Sequence, residues 1–434
     1  VYADNYHWRQ GVGPRDERPI VQHEPGVDER SRPTFGTDEV LKFADRVGAE
    51  VMITVNAGSG TAREAADWVR YVNRDELRVE LWEVGNELYI NNDSVFTSAV
   101  TVDPETYADR YLEFAEAMRA ADPRIKIGAI GGENQGRYRI LSYPEWNEIV
   151  LRRAGDEIDF LSVHNAYAPV LDRDPEDMRA VYRSMMGAPE NTKSNLRTLS
   201  GQLDRYLSGG RDPFIAVTEW GPFFRPGWDS PYIDHHKTLG STIFAASMFK
   251  TLLESERTEL AAFWHLSDVS VLGWIGSTND EFPADPTWAR TAKYKMFRLY
   301  SEHFGERLVQ TATDSPTFTT PSIGYTSGVD NTPYVEAISS ISADGASFYV
   351  MLINRSFERS ALTEISVSGF QPASRAVART LTGTSLDAHT GTVVVDVPGL
   401  GLARQKQDPD NPRFYEGGPE EIIVETETIE VGPA

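Results

Sequence analysis

The sequence predicts an α/β protein: a (β/α)8 TIM-type barrel followed by an all-β sandwich domain. Three observations carry this. From about residue 37 to about residue 303, short apolar runs that read as buried strands alternate with segments of helical spacing. Two of these stretches, Arg78 to Tyr89 and Phe214 to Pro222, carry an acidic residue at the exit of their apolar run, as strands do when their tips build a site. Beyond about residue 305 helical spacing disappears, and short strands separated by turns take over. A barrel uses about 250 residues. The 434-residue chain therefore divides into a barrel over residues 1–305 and a C-terminal β-sandwich over 306–434.

The elements follow in order. Residues 1–36 are rich in aromatic residues, Gly and Pro, and read as an extended loop. Thr37 opens a helix to about Val47 with Val40, Leu41, Phe43, Ala44 and Val47 inward, and Gly48 closes it. Val51 to Asn56 is a strand, and Thr61 with Glu64 has the spacing of a capping box for the next helix. After the Arg78 strand, Asp103-Pro104 starts a helix carrying Tyr107, Tyr111, Phe114, Ala115 and Met118. Further strands are expected at Ile125 to Ile130, Asp159 to Asn165, Phe214 to Glu219 and Leu260 to Leu266. Helices are expected at 144–154, 191–208, 235–254 and 290–303. That makes six barrel strands where a closed barrel has eight. The expectation is that two βα units preceding Val1 are absent, the alternative being strands within the first 36 residues. In the C-terminal part, strands are expected at Phe348 to Ile353, Thr363 to Val367, Val393 to Val397, Glu421 to Val424 and Thr428 to Val431, with a polar loop over 404–420.

Composition bounds the function. Hydrophobic residues at 40% and charged residues at 25% supply a large core and exclude a disordered chain. The formal net charge of -23 argues against nucleic acid or an anionic membrane as partner, because both reward basic surfaces. A neutral substrate fits better. Of the 42 basic residues only eight are Lys, which suits either concentrated salt or a GC-rich genome. The absence of Cys excludes disulfides, thiolate metal sites and Cys nucleophiles. No window approaches the ~18 apolar residues of a membrane span.

The two acids are Glu87, in Trp82-Glu83-Val84-Gly85-Asn86-Glu87, and Glu219, in Val217-Thr218-Glu219-Trp220. Cleaving a glycosidic bond takes one carboxylic acid to protonate the leaving oxygen and a second carboxylate to attack the anomeric carbon or activate water. In a parallel barrel all strand C-termini meet at one face, so a separation of 132 residues is no obstacle. A lone acid at a strand end more often caps the next helix. The pair, with its neighbours, points to chemistry.

These motifs resemble those of the clan-A retaining glycoside hydrolases, and the chain is most similar to the α-L-arabinofuranosidases of glycoside hydrolase family 51. Tyr6-His7-Trp8-Arg9-Gln10-Gly11-Val12-Gly13-Pro14, Phe35-Gly36-Thr37-Asp38-Glu39 and Val55-Asn56-Ala57-Gly58-Ser59-Gly60-Thr61 carry the narrower resemblance, which covers roughly residues 5–300. Gly221 to His236 and Trp264 to Asp268 depart from the pattern and leave the sugar open. The resemblance implies Glu87 as general acid/base and Glu219 as nucleophile. Trp82 as an apolar wall and Glu219 as a neighbouring anion would raise the pKa of Glu87. The family is often intracellular and raises the chance of a homo-oligomer; the acidic surface equally permits export, so the compartment stays open.

Substrate contacts are expected from Asn86 to a sugar 2-hydroxyl, and from Asn56, Trp8 and Trp220, while the resemblance implies that His164 and Tyr167 sit beside the nucleophile and donate to Glu219 or to the substrate. Asn86 and Asn56 also read as turn amides, His164 as a structural strand-end His, and Trp residues of a large barrel are mostly packing. Asp234-His235-His236 and His265 with Asp268 read as structural, since adjacent His residues on a helix diverge. The two-carboxylate reaction calls for no metal and no cofactor. The expected activity is release of terminal α-L-arabinofuranosyl residues from plant-type polysaccharides or oligosaccharides. The rivals are a β-xylosidase, β-glycosidase or endo-glucanase of the same clan, and a non-catalytic carbohydrate-binding protein.

Overall fold

The computed structural model describes all residues except 1–2, 23–29, 91–99, 133–142, 165, 172–174, 208, 224–232, 269–274, 278–287, 374–375, 384, 389–419 and 427–434. It forms two compact units. One comprises Val1–Asn165, Asn195–Thr218 and Arg257–Ala261; the other comprises Ala166–Ser194, Glu219–Glu256 and Ala262–Ala434.

The first unit is built on a parallel sheet. Met52–Val55, Leu81–Val84, Lys126–Ile130 and Phe160–Val163 lie side by side, and Phe160–Val163 pairs with the first half of Phe214–Phe223. Helices Ala62–Val72, Pro104–Ala121 and Trp146–Ala154 intervene along the chain. This is the βα alternation of a (β/α) barrel. The helix starts are fixed locally, as the sequence predicts. Thr61 Oγ1 accepts from Glu64 N at 3.1 Å, and Asp103 Oδ1 from Thr106 N at 2.8 Å. Tyr107, Tyr111, Phe114, Ala115 and Met118 are buried on one helix face, and Tyr107 and Tyr111 reach strand carbonyls at Val84 and Ile127.

The helix Thr37–Val47 ends on Gly48 at φ 67°, the left-handed cap that glycine accommodates. Gly36, not Thr37, precedes its first turn, and the Glu39 carboxylate accepts the Gly36 N–H at 2.8 Å. The expected inner face is only partly buried: Ala44 is inside, whereas Phe43 and Val47 are exposed. In the first 36 residues the described structure comprises two short 3-10 turns, Ala3–Asn5 and Trp8–Gly11, and the two-residue strands Val21–Gln22 and Arg30–Ser31, which pair with each other.

In the second unit, Ala166–Pro169 pairs in parallel with Trp220 to Phe223, a strand the sequence reading lacked. Helix Leu239–Leu253 is buried along most of its length, and Ala292–Glu302 starts on a Thr291 cap. The chain then turns antiparallel. Arg307–Val309, Val335–Ile341 and Phe348–Asn354 make one sheet, Thr317–Phe318 pairs with Thr332–Pro333, and Ala376–Thr382 pairs with Glu420–Thr426. Thr363 to Val367, expected as a strand, has no regular structure, because its alternating residues find no partner strand among the described residues. Val393 to Val397, Thr428 to Val431 and nearly all of the 404–420 loop lie outside the described residues.

The helix expected at 191–208 begins thirteen residues earlier, at Met178, and passes through Pro189 to Tyr206. Proline lacks the N–H that would bond back along the helix. Beside that gap the buried Arg355 guanidinium donates to the Met186 carbonyl at 3.0 Å.

Candidate active site

Leu81–Val84 runs into Gly85, Asn86 and Glu87. Gly85 sits at φ 80°, a left-handed state that strains side-chain-bearing residues, and a Cβ there would also press to 2.8 Å from Leu88 Cδ1, so glycine is favoured. Glu87 follows at φ 50°, an uncommon backbone state for a side-chain-bearing residue that costs on the order of 1–3 kcal/mol and persists where surroundings impose it. The imposing group is Asp4. Its buried carboxylate accepts the Asn86 N–H at 2.7 Å and the N–H groups of Ala57 and Gly58 at 3.0 and 2.9 Å. One side chain thus ties the tips of two neighbouring strands together. Burial pushes the Asp4 carboxyl up to about 7, against the lowering effect of those three donors.

The Glu87 carboxyl reaches His164 Nδ1 at 2.8 Å and keeps 28% side-chain exposure. Burial pushes its pKa up, but the hydrogen bond and charge of the His164 ring outweigh it, and the net direction is down. This corrects the expectation of a raised pKa: the group on the carboxyl is an imidazole. Trp82 is fully buried, with its indole N–H on the Val79 carbonyl at 3.0 Å and its ring edge-on to Trp68.

Behind His164 lies a polar layer absent from the sequence reading. His164 Nε2 is 3.1 Å from Thr218 Oγ1, and Thr218 Oγ1 is 2.5 Å from Ser162 Oγ and 3.3 Å from Glu83 Oε1. Ser162 also bonds Glu83 Oε1, and Thr54 donates to Glu83 Oε2 at 2.5 Å. Glu83 is buried on the same strand as Trp82 but on its opposite face. An acid interrupting an apolar strand was the signal for this layer. Asp4, a single acid in an irregular segment, gave no such signal.

The other expected contacts separate. The Asn86 side chain is half-buried and its amide has no hydrogen-bond partner among the described residues. Asn56 is committed to its own turn: its carbonyl accepts from Ser59 N and Gly60 N, and its amide donates to Tyr6 O and Ser59 Oγ. All its hydrogen-bonding capacity is used, so it is a turn residue and not a sugar contact. Trp8 is 2% exposed, stacked on Trp68 with its indole N–H on the Glu64 carbonyl, and offers no ring face. Trp220 is likewise fully buried, against Phe249, Phe263 and Phe297. Both are packing residues, contrary to expectation. Tyr167 lies in Ala166–Pro169, in register with Gly221. Glu219 follows Thr218 in the Phe214–Phe223 strand and is half-buried. His235 accepts or donates at Nδ1 to the buried Tyr182 hydroxyl at 2.8 Å.

Residues 1–150 match the family model described as alpha-L-arabinofuranosidase 1 domain. The chain is 24% identical, over 92% of its length and 82% of the relative's, to an exo-alpha-(1->6)-L-arabinofuranosidase of Bifidobacterium longum. It is 26% identical, over 89% of its length and 74% of the relative's, to an intracellular exo-alpha-L-arabinofuranosidase of Bacteroides ovatus. The structure of the thermostable GH51 alpha-L-arabinofuranosidase of Thermotoga petrophila superposes with a TM-score of 0.76 at 26% identity, covering 99% of this chain and 82% of that one. The parallel βα sheet, the antiparallel strands that follow it and these likenesses agree: the chain is a glycoside hydrolase similar to the GH51 α-L-arabinofuranosidases.

Proposed function

We propose that the protein hydrolyses terminal α-L-arabinofuranosides by double displacement, with Glu87 as general acid/base and Glu219 as nucleophile. The partly exposed Glu87 carboxyl, held on the His164 ring at the C-terminal end of a parallel sheet, carries the reading. A retaining glycosidase needs a carboxylic acid that protonates the leaving oxygen and a second carboxylate that attacks the anomeric carbon. In the first step Glu87 protonates the leaving oxygen as Glu219 attacks. In the second, Glu87 takes a proton from water, which displaces Glu219. The Asn86 amide, next in the chain to Glu87 and without a protein partner among the described residues, suits a sugar hydroxyl. We retain residues 1–305 as the catalytic domain and 306–434 as the β domain in this reading.

A panel of aryl glycosides tests it. Hydrolysis of the 4-nitrophenyl α-L-arabinofuranoside with retained configuration in the first product is expected, with Glu219→Ala inactive and Glu87→Ala rescued by azide on activated substrates. Cleavage of pyranosides alone would remove the arabinofuranosidase assignment, and an inverted first product would remove the nucleophile.

A further inference from the structure

The layer behind His164 contains a carboxylate that the two-carboxylate reaction does not use. Glu83 is 3% exposed and is bonded by three hydroxyls, those of Thr54, Ser162 and Thr218. A carboxylate accepts only, so each hydroxyl that serves it spends its single proton on Glu83 or on the Ser162 oxygen that serves Glu83. Thr218 Oγ1 then has lone pairs, and no proton, for the His164 Nε2 at 3.1 Å. That nitrogen must carry the hydrogen. With Nε2 protonated, Nδ1 faces Glu87 at 2.8 Å either as a bare acceptor for a carboxylic acid or as an N–H donor to a carboxylate. Both states hold one proton in the Glu87–His164 bond.

Resting on the function proposed above, we propose that Glu83 is a positioning residue that, through the Thr218 hydroxyl, fixes the His164 tautomer and reserves Nδ1 for the proton Glu87 delivers. The opposite tautomer, with hydrogen on Nδ1 only, would donate to an ionised Glu87 and make an anionic pair, one proton short and with nothing to give. During leaving-group departure the C–O electron pair passes to the oxygen, the proton of the pair goes to that oxygen, and the pair is left one proton short. The attacking water restores it. The downward direction of the Glu87 pKa agrees with a proton shared toward the ring. Among the described residues of the same unit, ionisable groups near the pair include Glu83 itself, Asp4 on the Asn86 N–H and Tyr107 behind the strand at the Val84 carbonyl.

The experiment combines kinetics with the imidazole 15N spectrum of the full chain. In Glu83→Gln the amide donates where a carboxylate accepted, so the Thr218 hydroxyl can turn to His164. The expected results are a His164 spectrum shifted toward the Nδ1–H tautomer, and a kcat/KM that falls about tenfold more on an alkyl arabinofuranoside than on the 4-nitrophenyl one, as loss of general-acid assistance requires. The alkaline limb of the pH profile should move down with it. Thr218→Val should reproduce both effects with Glu83 intact, and Thr218→Ser should restore them. Equal losses on the two substrates, or an unchanged His164 tautomer in both Glu83→Gln and Thr218→Val, would overturn the proposal. The spectrum needs no substrate. A wild-type enzyme inactive on every arabinofuranoside would therefore defeat the functional reading while leaving the tautomer to decide this one.

Discussion

Asp4 shows how one side chain reaches the Gly85-Asn86-Glu87 turn from outside any motif. Its carboxylate accepts three backbone N–H groups, yet its pKa rises to about 7 because burial costs more than those donors return. In the unfolded chain the same group titrates near 3.8. Between those values the folded state binds more protons than the unfolded one, so this group's contribution to stability is fully present below pH 3.8 and is lost as pH rises toward 7. Asp4→Asn removes that titration. The stability of wild type relative to Asp4→Asn, from urea unfolding at a series of pH values, should fall across pH 4 to 7 by at most about 1.4 kcal/mol per pH unit. A flat difference would mean that Asp4 ionises freely. Nothing in the sequence disclosed this role, since a buried acid in an irregular segment has no period or cap to mark it. Glu87 was legible because a glycine and an acid end an apolar strand. Its pKa was misjudged because the expected neighbours were Trp82 and Glu219, while the contact that decides it comes from His164 on another strand.

At the scale of elements, legibility follows locality. The helices at Thr37, Thr61 and Pro104 appear where their caps and Gly or Pro signals place them, because those interactions lie within one turn of chain. Pro189 marks the limit: the helix expected from 191 starts at Met178 and runs through the proline, because tertiary context overrides local propensity. Beside the proline, Arg355 is 1% exposed and donates to Met186 O and Pro333 O, with Glu336 Oε1 at 3.6 Å. Replacing Arg355 by Met leaves the Met186 carbonyl without its side-chain donor and leaves Glu336, also buried, facing Lys250 at 3.8 Å as its remaining ion pair. The loss should be on the order of 3–5 kcal/mol, as for one member of a buried pair. Arg355→Met/Glu336→Leu should recover a large part of it. Thermal unfolding of the three variants decides the matter: a double variant no more stable than the single one would mean that the carbonyl contacts, and not the charge pair, carry the effect.

For the whole molecule the dominant fact is charge. A net -23 spread over 434 residues repels itself, and the exposed ion pairs that offset it, such as Arg9–Asp67 and Arg153–Asp109, contribute little individually. No helix among the described residues is long and apolar enough to cross a membrane. Salt acts on the repulsion and the surface pairs together: the screening length shrinks from roughly 10 Å at 0.1 M to about 3 Å at 1 M. With 65 acidic against 42 basic residues, repulsive terms outnumber attractive ones, so screening favours the folded chain. Raising NaCl from 0.05 to 1 M should therefore raise the Tm. The same change should leave kcat/KM on a neutral arabinofuranoside nearly constant, because an uncharged substrate is not steered by the field. The two measurements separate the possibilities: a Tm that falls with salt would show that the surface ion pairs outweigh the repulsion, and a kcat/KM that climbs or falls steeply with salt would show that screening acts on the site itself and not on substrate encounter.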